Sequence, residues 1–136
     1  MRIVGVIAEY NPFHSGHAHQ LRQAREAAHA DAVVAVMSGC FMQRGDAAIV
    51  SPAIRAKMAL QNGADAVILL PALWSVRDAE HFALSGVHLL TGLGCDALSF
   101  GAETADLPLL QAAVDALESP DLPAAIQPHL SAGLPY

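Results

Sequence analysis

Apolar positions along the chain gather into four short stretches, the first of them unbroken, separated by longer mixed segments. The runs are residues 3–8 (Ile3-Val4-Gly5-Val6-Ile7-Ala8), 31–37 (Asp31 to Met37), 65–70 (Asp65 to Leu70) and 95–100 (Cys95 to Phe100). A strand with one wet face alternates apolar and polar residues. A continuous run bounded by turn residues predicts a strand covered on both faces. The stretches between them carry helical patterning. Over 17–29, Leu21, Ala24 and Ala28 mark an inner face, with Arg22, Arg25 and Glu26 turned to water. Ser51-Pro52 reads as an N-cap followed by Pro at the first helical position, with Asn62-Gly63 as the stop. A third helix is expected over about 78–91, ending near Gly92, and a fourth from Asp106-Leu107-Pro108 to about Glu118. Beyond Ser119 stand Pro120, Pro123, Pro128 and Pro135, which leave room for one short helix at most. There is no internal repeat and no low-complexity tract.

Strands alternating with helices predict an α/β fold: a Rossmann-like parallel sheet with helices on both faces. Residues 1–118 are expected to form one domain and 119–136 a Pro-rich connecting segment. The ending Ser131-Ala132-Gly133-Leu134-Pro135-Tyr136 closes no element, so the chain is read as a piece of something longer.

Composition narrows the class. Hydrophobic residues make up 54% and charged residues 15%, which excludes disorder as the main state. No run reaches the length of a membrane span, and the start reads as a strand without a cleavage pattern, so a cytoplasmic protein that binds no membrane is expected. Cys40 and Cys95 form no paired motif and are expected to be small semi-buried residues. The net charge of −6 is uneven: all seven Lys and Arg lie at or before Arg77, with five acids, and the remainder holds eight acids and no Lys or Arg. A nucleic-acid platform needs clustered cations, so the second half cannot supply one. The first half suits a nucleotide.

Ligands of an open parallel sheet bind beyond the carboxyl ends of its strands, which points to the loops at 9–17, 38–50, 71–77 and 101–105. The dinucleotide fingerprint and the P-loop are both absent. The first loop instead carries His14-Ser15-Gly16-His17 at the start of a helix. Helix N-terminal amides favour an anion, Gly16 lets backbone approach it, and two imidazoles can donate to phosphoryl oxygens. A metal site through His14, His17 and His19 is the competing reading; it is disfavoured because no Cys or carboxylate stands at a convincing spacing. A structural role for His14 and His17 is a further alternative. His19 reads as a helix-surface residue, and His29, His81, His88 and His129 as solvated or capping residues. Arg44 is either a solvated loop residue or a phosphate clamp. Arg55 and Lys57 read as surface charge on a helix. Glu9 orients a histidine or ribose, or caps the loop, and Trp74 reads as a core or rim residue.

Five ordered blocks carry a family resemblance. They are residues 6–17 (Val6-Ile7-Ala8-Glu9-Tyr10-Asn11-Pro12-Phe13-His14-Ser15-Gly16-His17), 37–45 (Met37-Ser38-Gly39-Cys40-Phe41-Met42-Gln43-Arg44-Gly45), 55–60 (Arg55-Ala56-Lys57-Met58-Ala59-Leu60), 63–71 (Gly63 to Pro71) and Phe100-Gly101-Ala102-Glu103. His14-Ser15-Gly16-His17 resembles the H-x-G-H signature of nucleotidyltransferases related to class I aminoacyl-tRNA synthetases. All five blocks together resemble the N-terminal portion of the tRNA(Met) cytidine acetate ligase family. The resemblance implies the HxGH nucleotidyltransferase type of α/β fold, with ATP wrapped by residues 7–20 (through His17-Ala18-His19-Gln20) and approached by Gly101. It implies His14 and His17 as the catalytic residues at the phosphates. Ser38, Gly39, Gln43, Arg44 and Arg55 are the candidates for further substrate or phosphate contacts. ATP with Mg2+ and acetate would give acetyl-adenylate, from which the wobble cytidine of elongator tRNA(Met) takes the acetyl group. No metal-binding residues of the chain itself are implied. Three departures stand out. Pro52-Ala53 replaces a usual Lys-Trp, Cys40 replaces a usual Asn or His, and family members are several times longer, with their tRNA-binding part downstream. The alternatives are a small-molecule adenylyltransferase of the coenzyme A or NAD type, and a non-catalytic nucleotide-binding module.

Overall fold

The computed structural model describes residues 1–133; Leu134, Pro135 and Tyr136, which end the expected connecting segment, lie outside the described residues. Four strands, β1 (Ile3–Ala8), β2 (Ala32–Ser38), β3 (Ala66–Leu70) and β4 (Ala97–Ser99), form one sheet in the order β3-β2-β1-β4. Every pairing is parallel, with Val6 opposite Ala35 and Ser99, and Val36 opposite Ile68. The helices are α1 (Ser15–Ala28), α2 (Pro52–Gln61), α3 (Ala72–Ser75), α4 (Ala79–Gly92), α5 (Leu107–Leu117) and α6 (Leu122–Ser131). The strands and the four long expected helices appear within two residues of their expected positions. The short α3 was not expected; its four residues are too few to leave a periodic signal.

Residues Met1–Gly101 form one compact unit and the chain from Ala102 another. In the second unit Asp106 caps α5 by accepting from the Leu109 N–H at 3.1 Å, and α6 carries Pro128 inside it. The rest of this section concerns the first unit.

Alternate residues of each strand face opposite sides, as the pleat requires. On one side Val4 and Val6 of β1 and Val33, Ala35 and Met37 of β2 pack with Leu21 and Ala24 of α1 and Ala59 of α2. On the other, Ile7, Val34, Val36, Ile68 and Leu70 pack with Phe82, Leu89 and Leu90 of α4. Each fully buried Val or Leu contributes about 1.5–3 kcal/mol. The second face is unusually close. A Cβ on Gly5 would lie 2.6 Å from the Leu90 methyls, and one on Gly86 would lie 2.6 Å from Ile7 Cδ1. Two missing side chains thus let α4 seat directly on β1.

The amino edge of the sheet repeats one device three times, although the sequence shows no repeat at domain scale. His29, Gly63 and Gly94 each take a positive φ after a helix. One residue further on stands a small, wholly or partly buried residue (Ala30, Ala64, Cys95), and then an aspartate. Asp31 accepts from the Arg2 N–H, Asp65 from the Val33 N–H and Asp96 from the Ile3 N–H, at 2.6–2.7 Å. Each carboxylate therefore ties a strand entry to its neighbour. Arg25, expected to face water, is instead half-buried here. It donates to the carbonyls of Asp31 and Gly63 and pairs with Asp65. Burial alone would raise the Asp65 pKa; the Val33 N–H and the Arg25 guanidinium outweigh it and hold the carboxyl below its usual value.

Gly86→Val gains β-branched bulk against a stiff Ile7, so it is expected to lower stability by roughly 1–3 kcal/mol, read from the denaturant midpoint. An unchanged midpoint would show that the α4–β1 contact is looser than described.

Candidate functional site

The loop after β1 is built by its own side chains. Tyr10 takes φ 51, a left-handed conformation uncommon for a bulky residue, and its ring is wholly buried. Burial pushes the phenol up to about 12, and its hydroxyl finds no partner among the described residues. The ring meets Phe13 and His17 edge-on, each with centroids 4.9 Å apart. The chain then turns through a cis Asn11-Pro12 bond into the start of α1.

His14 is the N-cap of α1. Its Nδ1 accepts from the Gly16 N–H at 3.1 Å, and the Nδ1 of His17 accepts from the His14 N–H at 3.2 Å. This reciprocal arrangement satisfies two helix-end amides and starts α1 two residues earlier than expected. The two rings stack, with centroids 3.7 Å apart and planes 25° apart. A neutral imidazole has one N–H, and Nδ1 is committed as an acceptor in both rings. The proton is therefore on Nε2 in each, leaving two N–H donors at a helix N-terminus. Burial, and then the neighbouring His14, lower the His17 pKa, which favours the neutral ring. Gly16 serves this geometry. A Cβ there would lie 2.9 Å from His14 Cε1, so its missing side chain makes room for the capping ring rather than for a ligand.

Beside the pair lies a cleft of about 370 Å³ lined by nine residues of the expected ATP stretch: Ile7 to Pro12, His14, His17 and Gln20. Of the other residues in the expected ATP stretch, Ala18 is buried beneath α1, Phe13 packs on Tyr10, and Ser15, Gly16 and His19 are exposed. Gly101 is exposed just past β4, with open space around it.

The loop after β2 is tied to the first by three side chains. Glu9 accepts from the Gln43 N–H at 2.6 Å, and Asn11 accepts from the Ile49 N–H at 2.8 Å. Glu9 thus caps the neighbouring loop. The third tie corrects an expectation. Arg55 is not surface charge; it is 0% exposed, and its guanidinium donates to the carbonyls of Glu9, Gly39 and Val50. Burial pulls its pKa down, while Cys40 and Glu9 push it back up. Helical periodicity gave no sign of this, because the partners are backbone carbonyls of loops distant in sequence. Ser38 is buried with its hydroxyl toward Met42 Sδ, and Gly39 offers its carbonyl to Arg55. Gln43 donates to the Arg77 carbonyl at 2.8 Å. Arg44 sits exposed at the tip of a small hairpin closed by a Phe41–Ala47 bridge, its turn completed by Gly45 at φ 88. Cys40, expected to be semi-buried, is exposed; Cys95 is half-buried as expected. Lys57, His19 and His88 are exposed, and His29 caps α1. His81 pairs with Asp78.

A family model described as HIGH Nucleotidyl Transferase matches residues 1–136. The chain belongs to this family. Among relatives of similar sequence, the tRNA(Met) cytidine acetate ligase of Latilactobacillus sakei is 47% identical over 92% of this chain and 32% of its own length. That of Syntrophotalea carbinolica is 52% identical over 87% of this chain and 28% of its own. The chain thus spans about a third of the length of these relatives. The crystal structure of Thermotoga maritima TmcAL bound with alpha-thio ATP superposes with a TM-score of 0.80 at 42% identity, over 86% of this chain and 29% of that one. A lipopolysaccharide core biosynthesis protein of Thermoplasma volcanium, 19% identical with a TM-score of 0.58, shares the fold.

Removing the buried guanidinium leaves three carbonyls unmet, so Arg55→Ala is expected to cost roughly 3 kcal/mol or more, against at most about 0.5 kcal/mol for Arg44→Ala. Equal thermal shifts would contradict this placement. For His17, the folded ring binds protons more weakly than the unfolded ring, whose pKa is about 6.5. Stability carried by the neutral ring is therefore present above that value and is lost as pH falls below it. Unfolding measured across this range should lose that part of its pH dependence in His17→Gln, whose amide can still complete the cap.

Proposed function

We propose that this chain carries the ATP-binding, adenylate-forming part of a tRNA(Met) cytidine acetate ligase, acting in the cytoplasm. The observation that carries the reading is the stacked His14–His17 pair, whose two Nε2–H donors sit at a helix N-terminus beside the cleft. In this reading the cleft takes ATP, accompanied by Mg2+ on its phosphates, with residues 7–20 and Gly101 around the nucleotide. An acetate oxygen attacks the α-phosphorus; the bond to the β-phosphate oxygen breaks and pyrophosphate leaves. Charge builds on phosphoryl oxygens during that step, and preorganised neutral donors stabilise it without reorganisation. The exposed Arg44 is the cation of the second loop available to meet phosphate. Arg55, Glu9 and Asn11 hold the loops in place. The amine of the wobble cytidine of elongator tRNA(Met) then attacks the acetyl carbonyl, the bond to the adenylate oxygen breaks, and AMP and the amine proton leave, giving N4-acetylcytidine. The similarity in sequence to ligases of that name and the match to an ATP-analogue-bound relative support the assignment. No helix of the described residues is long and apolar enough to cross a membrane.

Acetate-dependent exchange of labelled pyrophosphate into ATP tests it. His17→Ala is expected to slow the exchange about 100-fold or more while the protein stays folded by circular dichroism. Exchange that ignores acetate, or responds only to another acceptor, would replace this reading with a small-molecule adenylyltransferase.

A further inference from the structure

A second cavity, of about 500 Å³, lies between α3 and α4 beyond the carboxyl end of β3. Its walls are mostly apolar: Leu70, Pro71, Leu84 and Leu89, with Trp74 44% exposed at its side. That size suits a small planar ligand. The polar groups facing it are two imidazoles on α4, His81 and His88, and the buried Ser85, whose hydroxyl donates to the His81 carbonyl at 2.6 Å.

The tautomers of these imidazoles are the reverse of those at the ATP cleft. His81 Nδ1 lies 2.8 Å from Asp78 Oδ1. That carboxyl is held down to about 2, chiefly by the His81 N–H and ring, so it is an ionised acceptor and Nδ1 must carry the proton. His88 Nδ1 lies 3.1 Å from the Leu84 carbonyl, again an acceptor only. With Nδ1 protonated in both rings, Nε2 is the lone pair whenever the ring is neutral. A cavity with an indole wall and two imidazole acceptors favours a flat ring that carries N–H donors. At the rim the Arg77 guanidinium lies 5.8 Å from the Trp74 ring centre, a cation placed for a flanking phosphate.

Two chains of contacts link the cavity to the ATP cleft. Ile7 lines the cleft and packs on Gly86, the neighbour of Ser85. Glu9, another cleft residue, accepts from the Gln43 N–H, and the Gln43 side chain donates to the carbonyl of Arg77, whose guanidinium lies by Trp74.

We infer that this second cavity binds the amino-bearing nucleobase of the acceptor nucleic acid, stacking it on Trp74 and receiving its exocyclic amine at the Nε2 atoms of His81 and His88. That the base is cytosine rests on the function proposed above; the preference for an amino-bearing base rests on the cavity.

Trp74 is the chain's one tryptophan, so its emission reports the cavity directly. Titration with cytidine, excited beyond nucleoside absorption, is expected to quench it saturably with a dissociation constant of about 1 mM. Uridine and N4,N4-dimethylcytidine should bind about tenfold more weakly, because the amine donors are missing. His81→Phe and His88→Phe, checked for folding by circular dichroism, should erase that preference while ATP binding by calorimetry stays unchanged. No quenching, or equal quenching by all three nucleosides, with ATP still bound, would overturn the inference and leave the ATP cleft standing. Emission that varies with protein concentration but not with nucleoside would also overturn it, by showing that a second copy of the chain covers this face. Absence of ATP binding would remove the proposed function, while the cytidine titration would still decide the cavity.

Discussion

One buried cation holds the loops at the carboxyl edge of the sheet together. The Arg55 guanidinium, reaching in from α2, meets carbonyls after β1, after β2 and just before α2. Loops at strand ends have no ladder to fix them, and their carbonyls need partners once water is excluded. A planar group with five donors can meet several at once, as a lysine could not. The two central loops therefore behave as one body, and the cleft between β1 and α1 has a fixed floor.

On that floor the backbone dictates the chemistry of the side chains. An N-cap normally uses a short oxygen-bearing residue. Here two histidines perform the task reciprocally, and the helix amides thereby choose their tautomers. The result is a pair of neutral donors directed by helix geometry, matching the needs of a phosphate. On α4 the opposite choice is made. A carboxylate and a carbonyl take the Nδ1 protons of His81 and His88, leaving acceptors. The same residue type offers different chemistry at the two cavities, and the difference lies in what each Nδ1 faces.

The two edges of the sheet divide the labour. At the amino edge, three positive-φ helix ends, each followed by an aspartate, repeat one solution that locks strand to strand. At the carboxyl edge no two loops are alike: a cis turn with a strained tyrosine, a hairpin with Arg44 at its tip, and a short helix that presents Trp74. Rigid, repeated ties on one side allow irregular loops on the other to hold a defined shape.

The sequence by itself determined the order and type of the elements. Buried parallel strands need unbroken apolar runs, and helix ends need caps; both constraints act within a few residues and are written locally. A helix following the H-x-G-H stretch was legible for the same reason; that His14 caps it, with His17 completing the cap from inside α1, was not. The tertiary structure decided everything that joins segments distant in the chain. Arg55 and Arg25 read as surface charge because a cation's partners, when they are backbone carbonyls of remote loops, leave no mark in the pattern. Gly16 read as room for a ligand, but it is room for the His14 ring. Gly5 and Gly86 were silent until α4 was laid on β1. Cys40 proved exposed because its loop folds outward as a hairpin, and α3 was too short to show a period. Local periodicity encodes which face is buried; only the fold encodes what a buried polar group will find there.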